Sequence, residues 1–274
     1  MHVKIKTQCG TDVAQTPENT LYNSRHSLVL RCGEDRVIKA VTRRFDVQDE
    51  ELSKQQQICK KLMPLRLPHV HVVDKCWTRE DVDYFESMYM PNGDLLDFLS
   101  NPHSPVSDAC KMRMAIQITE AVYQLHSVDV VHRDLKPDNV LLDNNNNCYV
   151  SDFDLAETAT ECVLEAGCAG PGSRRYGAPE LFSFKHEHDE EYDGKKADIW
   201  SLAITLVGLF TCCLPFVEAN CKCVHYYNWK ECNLYPDCFS HLPSKIVPIV
   251  SDMLQINPIS RPDAHTVFTR LKAI

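Results

Sequence analysis

Two short stretches in the middle of this chain concentrate side chains that can do chemistry. The stretch HRDLKPDN carries Asp134, Lys136 and Asn139, and YVSDFDLAE follows with Asp152. Carboxylate and amide oxygens are ligands that suit Mg²⁺, which is a hard cation. The alternative interpretation is a polar surface loop followed by a strand. So many functional side chains in so short a stretch favour a chemical role over that alternative.

The elements around these stretches change character along the chain. Two β-rich runs, SLVLRC and RVIKAV, flank the tripeptide GED and predict a hairpin, and VHVVDKCW and DVDYFESMYM predict two more strands. Residues 46–62 are polar with a few spaced apolar side chains, which predicts a mostly exposed helix. SDACKMRMAIQITEAVYQLHS has helical spacing, and Ser107 is placed to cap it. The asparagines at 144–147 predict the turn of a further hairpin.

A strand-rich first third followed by a helix-rich remainder predicts an α+β protein with two lobes. We expect a small β-rich lobe over residues 1–89 and a larger, mainly helical lobe over residues 90–274, joined near YMPNGD. The uncharged stretch IWSLAITLVGLFTCCLPFV is long enough to span a membrane. Its polar residues and the lack of a basic flank favour a buried core helix that ends before Pro215, so we expect no membrane partner.

The composition of the chain limits the kinds of binding partner and the cellular compartment that we expect. A formal net charge of -9 and the absence of a long Lys/Arg run argue against a nucleic-acid partner. With 14 cysteines and no apolar leader at the start, free thiols in a reducing compartment are expected. These features predict an intracellular protein of the cytoplasm or nucleus. If so compact a chain is viral, this location is inside a host cell. The cysteines and histidine of CKCVHYYNWKECNLYPDC lack the paired C-x-x-C hooks of a zinc ribbon, so zinc is the less favoured interpretation there.

Taken with GSRRYGAPE, ADIWSLAIT and NPISRPDA, these motifs resemble a eukaryotic-type protein kinase domain along most of the chain, and the lysine at position 136 resembles serine/threonine kinases. The resemblance implies a bilobal fold and transfer of the γ-phosphate of Mg-ATP to serine or threonine hydroxyls of a protein substrate. It implies that Asp134 is the catalytic base and that Lys136 neutralises charge on the γ-phosphate. Asn139 and Asp152 are implied to bind Mg²⁺.

The same resemblance assigns residues to ATP. Lys39 in RVIKAV is implied to hold the α- and β-phosphates. Its helix partner is Gln55 in one register and Glu51 in another, and we favour Glu51 because a buried ammonium benefits from an opposite charge. The other positions implied to contact the nucleotide are Leu21, Ser24 and Val29 in the phosphate loop, Ser87 as the gatekeeper, Met88 and Met90 in the hinge, Asp94 at the ribose, and Leu141 below the adenine.

Two stretches depart from the family's pattern. The stretch LYNSRHSLV has Tyr22, Ser24 and Ser27 where glycines are expected, which predicts weaker nucleotide affinity or an altered loop. Asp154 replaces the glycine of Asp-Phe-Gly, and we expect it to stiffen this segment without blocking an active pose. The alternative to an active enzyme is therefore a catalytically impaired kinase-like module that binds a regulatory protein partner.

The resemblance also extends to the segment that follows the Asp-Phe motif. Ser173 is implied to touch Asp134 and Lys136, and Glu180 is implied to pair with Arg261. Asp198 and Trp200 are implied to lie in the central helix that anchors the catalytic loop. The stretch GCAGP, where the family usually carries an activating phosphosite, has no hydroxyl. We therefore expect activity without phosphorylation at that site.

Overall fold

The computed structural model describes residues 4–6, 12–24, 26–43, 52–101, 106–164, 170–182 and 190–274. The strands are β1 (Lys4–Lys6), β2 (Asp12–Ala14), β3 (Thr20–Asn23), β4 (Ser27–Cys32), β5 (Arg36–Thr42), β6 (Lys75–Arg79), β7 (Val82–Met88), β8 (Val130–Val131), β9 (Val140–Leu142), β10 (Cys148–Val150), β11 (Glu157–Thr158), β12 (Val163–Leu164) and β13 (Glu190–Glu191). The helices are α1 (Lys54–Leu62), α2 (Leu95–Ser100), α3 (Asp108–Ser127), α4 (Gly194–Thr211), α5 (Val224–Cys232), α6 (Val247–Met253) and α7 (Ala264–Lys272).

The chain divides into two compact units, Met1–Arg66 with His71–Pro91, and Leu67–Val70 with Asn92–Ile274. The first unit contains a five-stranded antiparallel sheet with the order β3-β4-β5-β7-β6. The second unit contains α2 to α7 and several short hairpins. This arrangement confirms the predicted α+β class. The lobe boundary after residue 89 stays a prediction.

The sheet of the first unit has one apolar face and one mixed face. Leu30, Ile38 and Ala40 are buried on the apolar face, where Trp77 stacks on Tyr84 with ring centroids 5.3 Å apart. The β4–β5 hairpin turns at GED as predicted, and its glycine has φ +75°, which an L side chain rarely adopts. The VHVV part of the third predicted strand is not in a strand, since β6 begins only after it. Alternating apolar residues supply β-propensity, but a strand also needs a partner along its length.

Helix α1 is less exposed than its sequence predicts. It begins at Lys54, where the hydroxyl of Ser53 accepts a hydrogen bond from the Gln56 N–H. The Gln56 side chain is buried, and its amide donates to the Thr78 hydroxyl of β6 at 2.9 Å. Thr78 in turn donates to the buried Asp83 carboxylate at 2.6 Å. A buried hydrogen bond therefore joins the polar face of this helix to the sheet.

The core of the second unit is built on α3 and α4. Ser107 caps α3 as predicted, with its hydroxyl accepting from the Cys110 N–H. Helix α4 is buried over nearly all of its length and ends at Thr211, because Cys212 adopts the left-handed conformation with φ 54°. This confirms the predicted core helix that ends before Pro215. Among the described residues, no helix is long and apolar enough to cross a membrane.

A short hairpin, β9 and β10, comes directly after HRDLKPDN. Its turn contains the predicted asparagines, and the Asp143 carboxylate accepts hydrogen bonds from the backbone of Asn145 and Asn147, both at 2.8 Å. The cysteines that the structure describes are free thiols, as expected. In the same part of the chain, no group of three or more His, Cys, Asp or Glu side chains is arranged to hold a metal ion, and this includes the cysteine-rich stretch that begins at Cys221.

Candidate active site

The loop that contains HRDLKPDN is anchored by one buried carboxylate. Asp198, near the start of α4, accepts hydrogen bonds from the backbone N–H groups of His132 and Arg133 at 2.8 and 2.9 Å. It also lies 3.0 Å from Nε2 of His126 on α3. One carboxylate therefore joins two helices to the loop. The anchoring role expected for Asp198 is confirmed.

The His132 ring connects the loop to the segment that carries Asp152. The Asp134 N–H donates to Nδ1 of this ring at 3.3 Å, so Nε2 carries the proton. Nε2 then donates to the Ser151 carbonyl at 2.8 Å. The Phe153 ring is buried and lies 5.3 Å from the His132 ring. The two chemical stretches predicted from the sequence are thus held against each other.

The Asp134 carboxylate is fixed by donors on both oxygens. Oδ1 accepts from the Ser173 N–H at 2.8 Å, and Oδ2 accepts from Lys136 Nζ at 2.7 Å. The Asn139 amide adds a donor to Oδ2 at 3.1 Å and another to the Asp134 carbonyl at 2.8 Å. Lys136 also donates to the Ser173 hydroxyl at 2.9 Å. The expected contact of Ser173 with Asp134 and Lys136 is confirmed.

Gly172 has a part in this site that sequence reasoning missed. Its φ is +88°, and a Cβ at this position would lie 2.3 Å from the Arg133 carbonyl oxygen and 3.3 Å from Asp134 Oδ1. Because Gly172 has no side chain, its backbone packs directly against the backbone of the loop at Arg133. The GS pair at the start of GSRRYGAPE was the available signal.

Arg133 also has a partner that the sequence did not reveal. It adopts φ +68°, and its guanidinium Nη1 lies 3.7 Å from the Glu157 carboxylate. The Glu157 side chain is only 4% exposed. Strand β11 pairs with β8 so that Glu157 lies opposite Val131, which brings it close to Arg133. The loop arginine is thus paired with a carboxylate from the same chain.

The two residues predicted to bind Mg²⁺ are held close together through Ser151. Both the N–H and the hydroxyl of Ser151 donate to the Asn139 carbonyl, at 2.8 and 3.0 Å, and Asp152 is the next residue. Among the described residues, the Asn139 side chain forms hydrogen bonds only through its amide nitrogen, so its Oδ1 has the capacity to bind another partner. An amide oxygen beside a carboxylate is a donor set that suits Mg²⁺.

In the Asp-Phe-Asp motif, the left-handed backbone conformation occurs at the first residue and not at the third. Asp152 has φ +65°, whereas Asp154 is not among the non-glycine residues with positive φ. The aspartate that replaces the family's glycine thus meets no left-handed strain in this conformation. The effect of Asp154 on an active pose stays a prediction.

In the first unit, several residues implied to contact ATP lie on the mixed face of the sheet. Lys39 is half-buried in β5, and its register partners are Val29 on β4 and Phe85 on β7. Ser87 is two residues beyond Phe85, so it points to the same side of the sheet. The sheet therefore brings Val29, Lys39 and Ser87 together. Glu51, the favoured partner of Lys39, lies outside the described residues, and Gln55 is half-buried in α1.

In the turn before β4, the serine side chain forms hydrogen bonds within the turn itself. The Ser24 hydroxyl accepts from the N–H groups of His26 and Ser27 at 3.4 and 3.1 Å. The Ser24 N–H itself donates to the Ser27 carbonyl at 2.8 Å. Leu21 and Tyr22, which precede this turn, are 46% and 57% exposed. The substitution of glycines by serines thus ties up N–H groups that an open loop would present.

The residues of the predicted hinge lie at the end of β7. Met88 is largely exposed, Met90 is half-buried, and the Met88 carbonyl is 3.0 Å from Nε2 of His71. Burial lowers the pKa of His71, which favours the neutral ring, and a carbonyl partner requires Nε2 to be the donor. A carbonyl oxygen has two lone pairs, so Met88 keeps the capacity to accept a second hydrogen bond.

Asp94 and Leu141 are neighbours in the second unit, where they form an isolated β-bridge. Asp94 is the N-cap of α2, and its Oδ1 accepts from the Asp97 N–H at 2.9 Å. Partial burial raises the pKa of Asp94. The sequence predicted a ribose contact here and missed the capping role, although Asp is a common N-cap.

A buried ion pair supports the end of the GSRRYGAPE segment. Arg261 has a fully buried side chain, and its two terminal nitrogens donate to both Glu180 oxygens at 2.6 and 2.8 Å. The guanidinium also lies 5.2 Å from the Trp200 ring centroid. The predicted pairing of Glu180 with Arg261 is confirmed.

Comparison with known proteins shows similarity to three serine/threonine kinases. The first, serine/threonine-protein kinase cds1 of Schizosaccharomyces pombe, is 32% identical over 204 residues, which cover 73% of this chain and 43% of that protein. The second, a serine/threonine-protein kinase SIK3 homolog of Danio rerio, is 36% identical over 171 residues, 62% of this chain and 14% of that protein. The third, CBL-interacting serine/threonine-protein kinase 20 of Arabidopsis thaliana, is 30% identical over 263 residues, 93% of this chain and 56% of that protein.

This chain spans about half the length, or less, of these relatives. The protein kinase domain is recognised over residues 28–270, which is most of the chain. That range begins in β4 and ends in α7, so it includes the sheet from β4 onward, the anchored loop and the helical core. The chain therefore belongs to the protein kinase domain family.

Proposed function

We propose that this chain transfers the γ-phosphoryl group of ATP to serine or threonine hydroxyls of a protein substrate, with Asp134 as the catalytic base. The observation that most supports this proposal is the set of hydrogen bonds that fixes the Asp134 carboxylate. Its oxygens accept from the Ser173 N–H, from Lys136 and from the Asn139 amide, at 2.7 to 3.1 Å. Phosphoryl transfer depends on positioning and on charge neutralisation, and this arrangement provides a positioned carboxylate beside a positioned ammonium.

In the proposed reaction, Asp134 accepts the hydrogen bond of the substrate hydroxyl and then its proton. The hydroxyl oxygen forms a bond to the γ-phosphorus while the bond from that phosphorus to the β,γ-bridging oxygen breaks, which releases ADP. Lys136 stabilises the negative charge on the transferred group, and its contact with the Ser173 hydroxyl fixes the ammonium in place. The Asp198 anchor keeps the backbone of the loop rigid during these steps.

The residues proposed to hold Mg²⁺ are Asn139, through its amide oxygen, and Asp152, through its carboxylate. When bound, the ion would neutralise charge on the phosphates. The hydrogen bonds from Ser151 to the Asn139 carbonyl support this proposal, because they hold the backbone segments that carry the two ligands against each other. The fit rests on donor chemistry, since both ligands are oxygens.

The proposed ATP contacts come from the resemblance and from their place in each unit. Lys39 is proposed to bind the α- and β-phosphates, and Val29 and Ser87 share its face of the sheet. The other positions proposed for the nucleotide are Leu21, Ser24, Glu51, Met88, Met90, Asp94 and Leu141. The regulatory protein partner and the intracellular location stay predictions.

A phosphorylation assay with Mg-ATP and a generic protein substrate tests the function. We expect Asp134→Asn to lower kcat by about 10²- to 10⁴-fold, the usual contribution of a general base. The matched control is Asp237→Asn, an exposed aspartate outside the loop, which should leave the rate unchanged. Equal rates for wild type and Asp134→Asn would contradict the proposal. Mg-ATP binding, measured alongside, would then separate a nucleotide-binding module from one that binds no nucleotide.

A further inference from the structure

Two arginines follow Ser173 directly, and the structure gives them different surroundings. Arg174 donates to both Glu218 oxygens, at 3.1 and 3.3 Å, and lies 5.0 Å from the Phe182 ring centroid. This hydrogen bonding lowers the pKa of Glu218. The charge of Arg174 is therefore already matched within the chain.

Arg175 has no such match. Its side chain is exposed, and within the described ranges it makes no ion pair or hydrogen bond. A guanidinium is always charged and presents several donors in a planar fork that fits a carboxylate or a phosphate. An unpaired arginine is common on protein surfaces, so its position relative to Asp134 decides whether it matters.

The backbone that carries Arg175 is fixed to the catalytic loop. Ser173 donates its N–H to Asp134, and Gly172 packs on the Arg133 carbonyl. The N–H groups of Tyr176 and Gly177 close a turn onto the Ser173 carbonyl at 2.9 and 3.1 Å. Arg175 is thus two residues from a backbone group that contacts Asp134, inside a closed turn. Adjacent Cα atoms are about 3.8 Å apart, so the Arg175 side chain begins within about 8 Å of the Ser173 backbone that contacts Asp134.

The charges around this turn are mixed in sign. Burial raises the pKa of Tyr176 to about 12, Asp138 and Asp134 add to that rise, and Arg175 opposes it. The three charges therefore act on the same hydroxyl. Asp138 is exposed and, among the residues that the structure describes, is also without an ion pair. Any charged ligand of Arg175 meets the field of Asp138 as well.

We propose that Arg175 selects protein substrates with a negatively charged residue one or two positions from the acceptor hydroxyl. This rests on the proposed function and adds the substrate class. Residues of an extended peptide are spaced by about 3.3 Å, so a carboxylate or phosphate at these positions comes within range of the guanidinium. Lys136 does not compete for it, because two of its donors are bound to Asp134 and Ser173 and the third is assigned to the transferred phosphoryl group.

Synthetic peptides with one acceptor serine test the selection. The flanking positions carry alanine, aspartate, phosphoserine or lysine in otherwise identical sequences. We expect wild type to use the aspartate peptide with kcat/KM about tenfold above that of the alanine peptide, as for one hydrogen bond to a charged group. A preference for phosphoserine alone would assign the site to phosphate, and equal gains would assign it to negative charge in general.

Variants separate Arg175 from its surroundings. Arg175→Ala should abolish the preference, Arg175→Lys should keep part of it, and Arg175→Glu should reverse it toward the lysine peptide. Asp138→Asn should raise kcat/KM for the aspartate peptide, because it removes a repulsive charge. The matched control is Arg270→Ala, since Arg270 pairs with Asp252 at the surface and should leave the preference unchanged.

Binding of peptides whose acceptor serine is replaced by alanine is measured in parallel, so that the result does not depend on turnover. An active enzyme with no preference, or Arg175→Ala with the preference intact, would overturn the selection and leave the proposed function standing. Loss of all phosphorylation together with tighter binding of the aspartate peptide by wild type than by Arg175→Glu would overturn the enzyme and support the selection.

Discussion

The guanidinium of Arg133 lies 3.7 Å from the carboxylate of Glu157, whose side chain is almost fully buried. Glu157→Gln keeps the shape of the side chain and removes its charge. We expect the free energy of unfolding to fall by about 2 to 3 kcal/mol, somewhat less than for a fully buried pair because Arg133 is 17% exposed. Chemical denaturation measures this. Glu231→Gln, which breaks the exposed pair with Lys230, should change stability by less than about 1 kcal/mol and serves as the control.

The same contact leads to a prediction about phosphorylation. Arg133 already faces a negative charge supplied by its own chain, so an added phosphate is not needed to balance it. We therefore expect purified protein to keep its activity after treatment with a phosphatase. Mass spectrometry would verify that the phosphate has gone. Activity that disappears on dephosphorylation and returns on rephosphorylation would contradict this prediction.

Much of the second unit could be predicted because its chemistry is local. Asp134, Lys136 and Asn139 lie within one short stretch, so their spacing already limits where the side chains go. The partners of these residues come from far along the chain. Nothing near Arg133 in the sequence points to Glu157, and Gly172 looks like an ordinary loop glycine until its backbone meets Arg133. Such contacts depend on tertiary packing, which local patterns do not encode.

In the first unit, too, tertiary packing determines a burial that the sequence pattern does not predict. The α1 sequence is polar and predicts exposure, yet Gln56 is buried because Thr78 of β6 accepts its amide hydrogen bond. The half-buried Arg43 pairs with buried Asp83 at 2.9 Å in the same network. A buried polar group is tolerated once it is hydrogen-bonded, and that partner becomes visible only in three dimensions.

Gly172 gives a sharp test of the catalytic geometry. In Gly172→Ala the new methyl group would meet the Arg133 carbonyl at 2.3 Å, so either the loop or the Ser173 segment must shift. We expect kcat/KM to fall by about 100-fold, since a displacement near 1 Å has effects of that size. Gly33→Ala is the control, because Gly33 also has positive φ but, in the described part of the chain, no non-adjacent atom lies within 4 Å of its Cβ position. That variant should lose about 1 kcal/mol of stability and keep its activity. Similar losses of activity in both variants would mean that backbone strain, and not the contact with Arg133, matters.

The serine-containing turn before β4 is expected to limit ATP affinity. The Ser24 hydroxyl occupies the N–H groups of His26 and Ser27, which a phosphate needs. Ser24→Ala frees these groups, and Ser24→Gly adds backbone freedom. We expect KM for ATP to fall by about fivefold in Ser24→Ala, as for one net hydrogen bond, and further in Ser24→Gly. Initial rates over a range of ATP concentrations measure this. A KM that rises in both variants would show that the hydroxyl itself helps to bind the nucleotide.

His71 should make stability depend on pH. Burial lowers its pKa below the ordinary value of about 6.5, while Asp74 and the Met88 carbonyl oppose that shift and Arg36 adds to it. A histidine with a lowered folded-state pKa contributes stability that is present above pH 6.5 and is lost as the pH falls through the folded pKa. Titration of the ring by NMR should give a pKa below 6.5. His71→Gln keeps a donor for Met88 and removes the titration, so its free energy of unfolding should fall less steeply with acid. Equal slopes for the two proteins would contradict the prediction.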